Sequence, residues 1–116
     1  MVYSSYFSMA KKLHELGIKT VSISRSTPEW YVGLHAESLA PSWTLVVKFK
    51  EGRISEEEYE KVYREEVLSK LIPAEVYKTL DGAAILCWEG KASFCHRHIV
   101  IKWLNENGFQ AQEYTF

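Results

Sequence analysis

The chain has only two cysteines, Cys87 and Cys95, among 116 residues, too few for the disulfide framework that holds a small secreted domain together in place of a core. It contains no run near the roughly 20 apolar residues that a spanning helix needs, and its first residues lack the basic, apolar and small-residue succession of a secretion signal. No segment is rich enough in proline, glycine or serine to read as a linker, and neither a repeat nor a low-complexity tract is visible. Charge of one sign is also missing: 14 basic residues stand against 15 acidic ones. That balance argues against the overall cationic field of a general nucleic-acid or membrane-surface binder. These absences leave a cytoplasmic protein with free thiols as the expectation.

What is present is apolar material: 47% of the residues are hydrophobic and 14% aromatic, enough for one core and a single domain over residues 1–116. The charge is uneven along the chain. Residues 1–54 hold seven basic and four acidic groups, whereas residues 55–80 hold four and seven.

Periodicity and end signals predict the elements. A short strand around Tyr3 precedes a helix on which Tyr6, Ala10 and Leu13 share a face, with Ser5 as its cap and Gly17 as its stop. Residues 19–24 alternate and are β-branched, a strand ended by the turn Arg25-Ser26-Thr27-Pro28. The stretch from Glu29 to Pro41 is irregular, with Trp30, Tyr31 and Leu34 expected to fold back over the core, and residues 42–50 favour a helix. Ser55 and Glu58 have the spacing of a capping box, opening a helix over 56–70 whose buried stripe is Tyr59, Val62, Tyr63 and Val67. Pro73 suits the first turn of a helix ending near Leu80. Residues 83–88 form a continuous apolar run, the mark of an interior strand. Ser93 is placed to cap a last, mostly buried helix that stops at Asn107-Gly108, and residues 111–114 can add a closing strand. Such alternation favours an α/β fold: a small three-layer domain with a mainly parallel sheet and a ligand crevice at the carboxyl ends of the strands.

The chemistry-bearing residues fall on those ends. Strand 83–88 leads through Glu89-Gly90-Lys91-Ala92-Ser93 into Phe94-Cys95-His96-Arg97-His98 at a helix start. There unpaired amides, the helix dipole and a guanidinium favour phosphate or carboxylate. Two readings of Arg97 stand side by side: a fork for that anion, or an internal partner of Glu89 or Glu113. Cys95 in the first turn is either a nucleophile activated by the helix field and neighbouring imidazoles or a packed thiol; Cys87, inside the apolar run, reads as a core thiol. Cys87, Cys95, His96 and His98 are all possible zinc ligands. Successive helical residues point about 100° apart, however, so residues 95 and 96 on one helix do not converge, and neither a metal nor a cofactor is expected. His14 and His35 read as surface or loop residues.

Ser5, Ser24 and Arg25 follow or end the first two strands and join the same rim if the sheet is parallel. Trp30, Tyr31 and Trp88 lie close to those ends in sequence and offer rings for stacking a base or sugar, as a nucleotide-like ligand would need, or serve as core and lid packing.

The segments Ser22-Ile23-Ser24-Arg25-Ser26-Thr27-Pro28-Glu29-Trp30, Leu39-Ala40-Pro41-Ser42, Ile85-Leu86-Cys87-Trp88-Glu89, Phe94-Cys95-His96-Arg97-His98 and Trp103-Leu104 together resemble the family catalogued as domain of unknown function 488. The resemblance runs from Tyr3 to Glu113. It implies an α/β fold, a small intracellular protein and a site made from Arg25, Glu89, Cys95, His96 and Arg97, and it implies no reaction. Trp88 stands where the family more often has a tyrosine or another aromatic residue.

The leading functional expectation is a protein that binds a small anionic, nucleotide-like molecule, with or without catalysis. Arg25 and Arg97 would hold the anion, with Ser5, Ser24, Trp30, Trp88 and His98 around it. Cys95 would be the candidate nucleophile, and Glu89 and His96 would move protons near neutrality. The rivals are a non-catalytic interaction or nucleic-acid accessory domain using Lys11, Lys12, Lys48, Lys50 and Arg53, and a metal-stabilised domain.

Overall fold

The first strand, β1 (Val2–Tyr6), does not pair with the strand that follows it in sequence. It pairs in parallel with β4 (Ala84–Cys87), setting Ser5 opposite Leu86, and on its other edge with β5 (Ala111–Glu113). The second strand, β2 (Thr20–Ser22), takes the far side of β4 and carries the two-residue β3 (Leu34–His35) at the edge. The order β3-β2-β4-β1-β5 is parallel throughout. The protein is therefore α/β, as the alternation of elements implied. The computed structural model describes residues 1–116 other than 89 and 91–93. Among the described residues no helix is long and apolar enough to cross a membrane.

One face of the sheet is covered by α1 (Ala10–Glu15), where Ala10 and Leu13 pack with Phe7, Tyr31, Ala84 and Leu86. The other carries α2 (Trp43–Lys50), α3 (Glu56–Glu66), α4 (Pro73–Leu80) and α5 (His96–Glu106), whose apolar residues meet Val2, Val21 and Ile85. Alternation along β4 decides which side each residue serves. Ala84 and Leu86 face α1, and Ile85, with Cys87 two residues on, faces α5. All four are buried, as a strand covered on both faces requires.

Local signals explain most helix ends. Ser42 caps α2 by accepting from the Leu45 amide at 3.1 Å. Ser55 and Glu58 close a reciprocal capping box on α3, and Pro73 opens α4. Gly17 and Gly108 end their helices with φ of 77° and 86°, a conformation that disfavours any side chain.

Several expectations need correction. Ser5 lies within β1 and caps nothing; α1 starts only at Ala10, after a 3-10 turn at Phe7–Met9. The helix expected to reach residue 70 ends at Glu66 and gives way to another such turn, Leu68–Lys70. Of the three residues expected to fold back over the core only Tyr31 does so: Trp30 is 60% exposed and Leu34 58%. His14 is a surface residue of α1 with a partner, Thr20 Oγ1, at 2.7 Å. The assignment of the α5 cap to Ser93 lies outside the described residues. The residue that precedes the helix is Cys95, in extended conformation at φ −156° and ψ 147°.

Candidate functional site

Beyond the carboxyl ends of β2 and β4 the chain leaves a cavity of about 410 Å³. This is where an open parallel sheet places its crevice, because the loops leaving neighbouring strands diverge there. Ser24, Arg25 and Ser26 leave β2 and form one wall; Trp88 leaves β4 and forms the next. The facing wall comes from α2, which presents Trp43, Val46 and Lys50 at helical spacing, with Phe49 beside them. Tyr59 of α3 and Phe94 close the apolar end, where the Phe49, Tyr59 and Phe94 rings pack at centroid distances of 5.0–5.3 Å. Cys95 and His96 form the floor.

Two contacts fix the polar rim. Arg25 donates from Nε to the Pro41 carbonyl at 2.6 Å, which orients the guanidinium, and no described residue pairs with its terminal nitrogens. Trp88 donates from its indole nitrogen to the Ser26 carbonyl at 3.0 Å and packs edge-on against Phe7 at 5.3 Å, so its ring is held although half exposed. A second hollow of about 320 Å³ shares Ser24, Arg25 and Ser26 and adds His35 and Glu37. Ser24, Arg25 and Ser26 thus border both hollows.

At the floor, His96 Nε2 lies 2.7 Å from the Ile23 carbonyl. A carbonyl only accepts, so Nε2 carries the proton, and Nδ1 of the neutral ring is a lone pair. That lone pair faces Cys95 Sγ at 3.7 Å. Burial, reinforced by the charges of Arg97 and His98 and opposed by the Ile23 hydrogen bond, pushes the imidazole down to about 4. The expectation that His96 moves protons near neutrality is thereby corrected: the ring is neutral at pH 7 because the interior solvates its cation poorly. The expectation of free thiols is corrected too. The sulfurs of Cys87 and Cys95 are in bonding contact across the gap between β4 and α5, with their Cα atoms 7.1 Å apart. Residues 95 and 96 diverge only where both lie on one helix. Cys95 is extended and only His96 is helical, so their ligating atoms do meet.

Arg97 stands apart from this cavity. It is wholly buried, and its guanidinium makes a two-pronged pair with Glu113, Nε to Oε1 and Nη2 to Oε2, each 3.1 Å. The remaining donors reach Cys87 Sγ and the Gly90 carbonyl, also at 3.1 Å, and the group lies 5.7 Å from the Tyr6 ring. Glu113 is held in turn by the Ser4 hydroxyl. Of the two readings of Arg97, the geometry is that of the internal pair, with Glu113 as partner. Among the other residues singled out, Ser24, Arg25, Trp88, Cys95 and His96 line the cavity. Ser5 is buried on the α1 side of the sheet, Trp30 lines neither hollow, and His98 lies on α5 beside His96. Glu89 lies outside the described residues.

Residues 16–108 match the model of the active DUF488-N3 subclade. This chain belongs to the DUF488 family. No curated protein and no solved structure matches it. The span matched to DUF488 contains every residue lining the larger cavity, from Ser24 to His96, and leaves out β1, β5 and Glu113. In this DUF488 member Trp43, Val46, Phe49, Lys50, Tyr59 and Phe94 complete the cavity without having been singled out for it. The 43, 46, 50 spacing was visible as one helical face, but only the tertiary fold turns that face toward Cys95.

Proposed function

We propose that this DUF488 protein binds a small anionic molecule carrying an aromatic ring, of the nucleotide class, in the cavity between β2, β4 and α2. One observation carries the reading: two cations, Arg25 and Lys50, and several aromatic rings surround a single hollow of about 410 Å³, within the roughly 300–1,000 Å³ of small-molecule sites. Arg25 supplies a planar fork for phosphate oxygens, Lys50 a second charge from the opposite wall, and Trp43 and Trp88 the surfaces for a base. The setting we infer is cytoplasmic, where thiols are kept reduced. Binding does not require His96 to gain a proton, and in the reduced, metal-free protein Cys95 Sγ is the candidate nucleophile at the floor. The basic residues that would favour nucleic acid divide between layers, Lys11 and Lys12 on α1 and Lys48 and Lys50 on α2, which covers the opposite face of the sheet.

The test is titration of the reduced protein with a panel of nucleoside monophosphates and with inorganic phosphate, followed by tryptophan fluorescence. Saturable binding of at least one nucleotide, more than about tenfold tighter than phosphate (1.4 kcal/mol) and weakened as much by Arg25→Ala, is the expected result. Failure of every nucleotide to saturate, or equal affinity in Arg25→Ala, overturns it.

A further inference from the structure

Cys87, Cys95 and His96 each bring one ligating atom within 4.8 Å of the other two. Three features of that cluster go beyond close packing. First, the chemistry of the set is two sulfurs and an imidazole whose Nδ1 lone pair is turned to Cys95, because the Ile23 carbonyl holds the proton on Nε2. Such second-group anchoring of a ring is how metal-binding histidines are oriented. Second, Arg97 donates to Cys87 Sγ at 3.1 Å, a cation placed where it stabilises negative charge on sulfur. Third, the backbones stand 7.1 Å apart at Cα, beyond the usual disulfide span of roughly 4.4–6.8 Å. Two thiolates on one ion, each about 2.3 Å from it, need that greater width.

We propose that the reduced protein binds one zinc ion through Cys87 Sγ, Cys95 Sγ and His96 Nδ1. A two-cysteine, one-histidine set is one of those that leave zinc a fourth position for water or a ligand atom. Cys95 and His96 line the cavity, so that position opens toward it. The steps balance. A dithiol reductant gives two electrons and two protons to the sulfur pair, becoming a disulfide as the Cys87–Cys95 bond breaks. Zinc then forms two Zn–S bonds as the two thiol protons leave to solvent. The site shares the cavity floor with the nucleotide reading but does not rest on it, since neither Arg25 nor Trp88 is a ligand.

The experiment is titration of the dithiol-reduced, chelator-stripped full chain with cobalt(II) and then zinc. Expected are thiolate-to-cobalt charge-transfer absorption saturating at about one equivalent, its displacement by zinc, and release of about two protons per ion at a pH where both thiols begin protonated. His96→Gln should weaken binding by at least the roughly 10- to 100-fold that outer partners of a metal are worth, and Arg25→Ala should leave it unchanged. Because Cys87 is wholly buried, a serine there risks the fold, so the oxidised wild-type protein is the second arm and should give no charge-transfer band. Absence of the band in reduced protein, or an equal band in oxidised protein, overturns the proposal. If Arg25→Ala abolishes nucleotide binding while cobalt still binds, both readings stand; if cobalt fails while nucleotide binds, only the metal is lost.

Discussion

The two arginines that the sequence reading sets on one rim of the sheet end up in opposite circumstances. Arg97, on the β1 and β5 side, is fully enclosed and bonded to Glu113, Cys87 and Gly90. Arg25, on the β2 side, is exposed, anchored among the described residues only at Nε, and faces a cavity. A buried charge whose donors already have acceptors has nothing left to offer a ligand. Its value is conditional, because removing one partner strands the other. A half-anchored guanidinium over a hollow is the reverse: it adds little to stability, and its unused donors are oriented before a ligand arrives.

Substitutions sharpen that contrast. Arg97→Met should have the largest effect, lowering unfolding free energy by about 3–5 kcal/mol in urea titration, whereas Arg25→Ala should stay within about 0.5 kcal/mol of wild type; equal losses would erase the distinction. Next comes pH. The unfolded imidazole of His96 takes up a proton near 6.5 and the folded one only at about 4, so between those values the unfolded chain binds more protons. The stability that follows from this is present above pH 6.5 and falls by about 3 kcal/mol as pH drops to 4. In reduced, metal-free protein a His96→Gln variant should lose stability less steeply over that window, and an unchanged slope would refute the assignment. A smaller effect, about 1 kcal/mol, is expected of Ser55→Ala, which breaks the α3 capping box without touching either arginine's hydrogen bonds and should leave nucleotide affinity untouched.

Elements governed by neighbours in sequence were legible beforehand. The Ser55 and Glu58 capping box, Pro73 at a helix start, the apolar run of β4 and the Asn107-Gly108 stop all follow from local backbone chemistry, and the alternation of elements gave the fold class. What escaped depends on distant partners. Nothing in the spacing of Arg97 says that parallel pairing of β5 with β1 will carry Glu113 to its guanidinium, when Glu89 is nearer in sequence. Cys95 was read as helical because it precedes an apolar helix, and one residue of extended backbone reverses which groups converge with it. Trp30 and Trp88 looked equivalent as rings near strand ends. Trp88 follows the central strand and is held over the cavity, whereas Trp30 lies in the irregular stretch before the two-residue edge strand β3 and is turned to solvent.

The tryptophans also offer the most direct test of the central claim. The chain has four, at positions 30, 43, 88 and 103, and only Trp43 and Trp88 line the cavity among the described residues. Their indole N–H resonances can be followed in a nitrogen-labelled sample as a nucleoside monophosphate is added. The account predicts saturable shifts at Trp43 and Trp88, both lost in Arg25→Ala, with Trp30 and Trp103 unmoved. Shifts centred on Trp30 or Trp103, or none at any of the four, would contradict it.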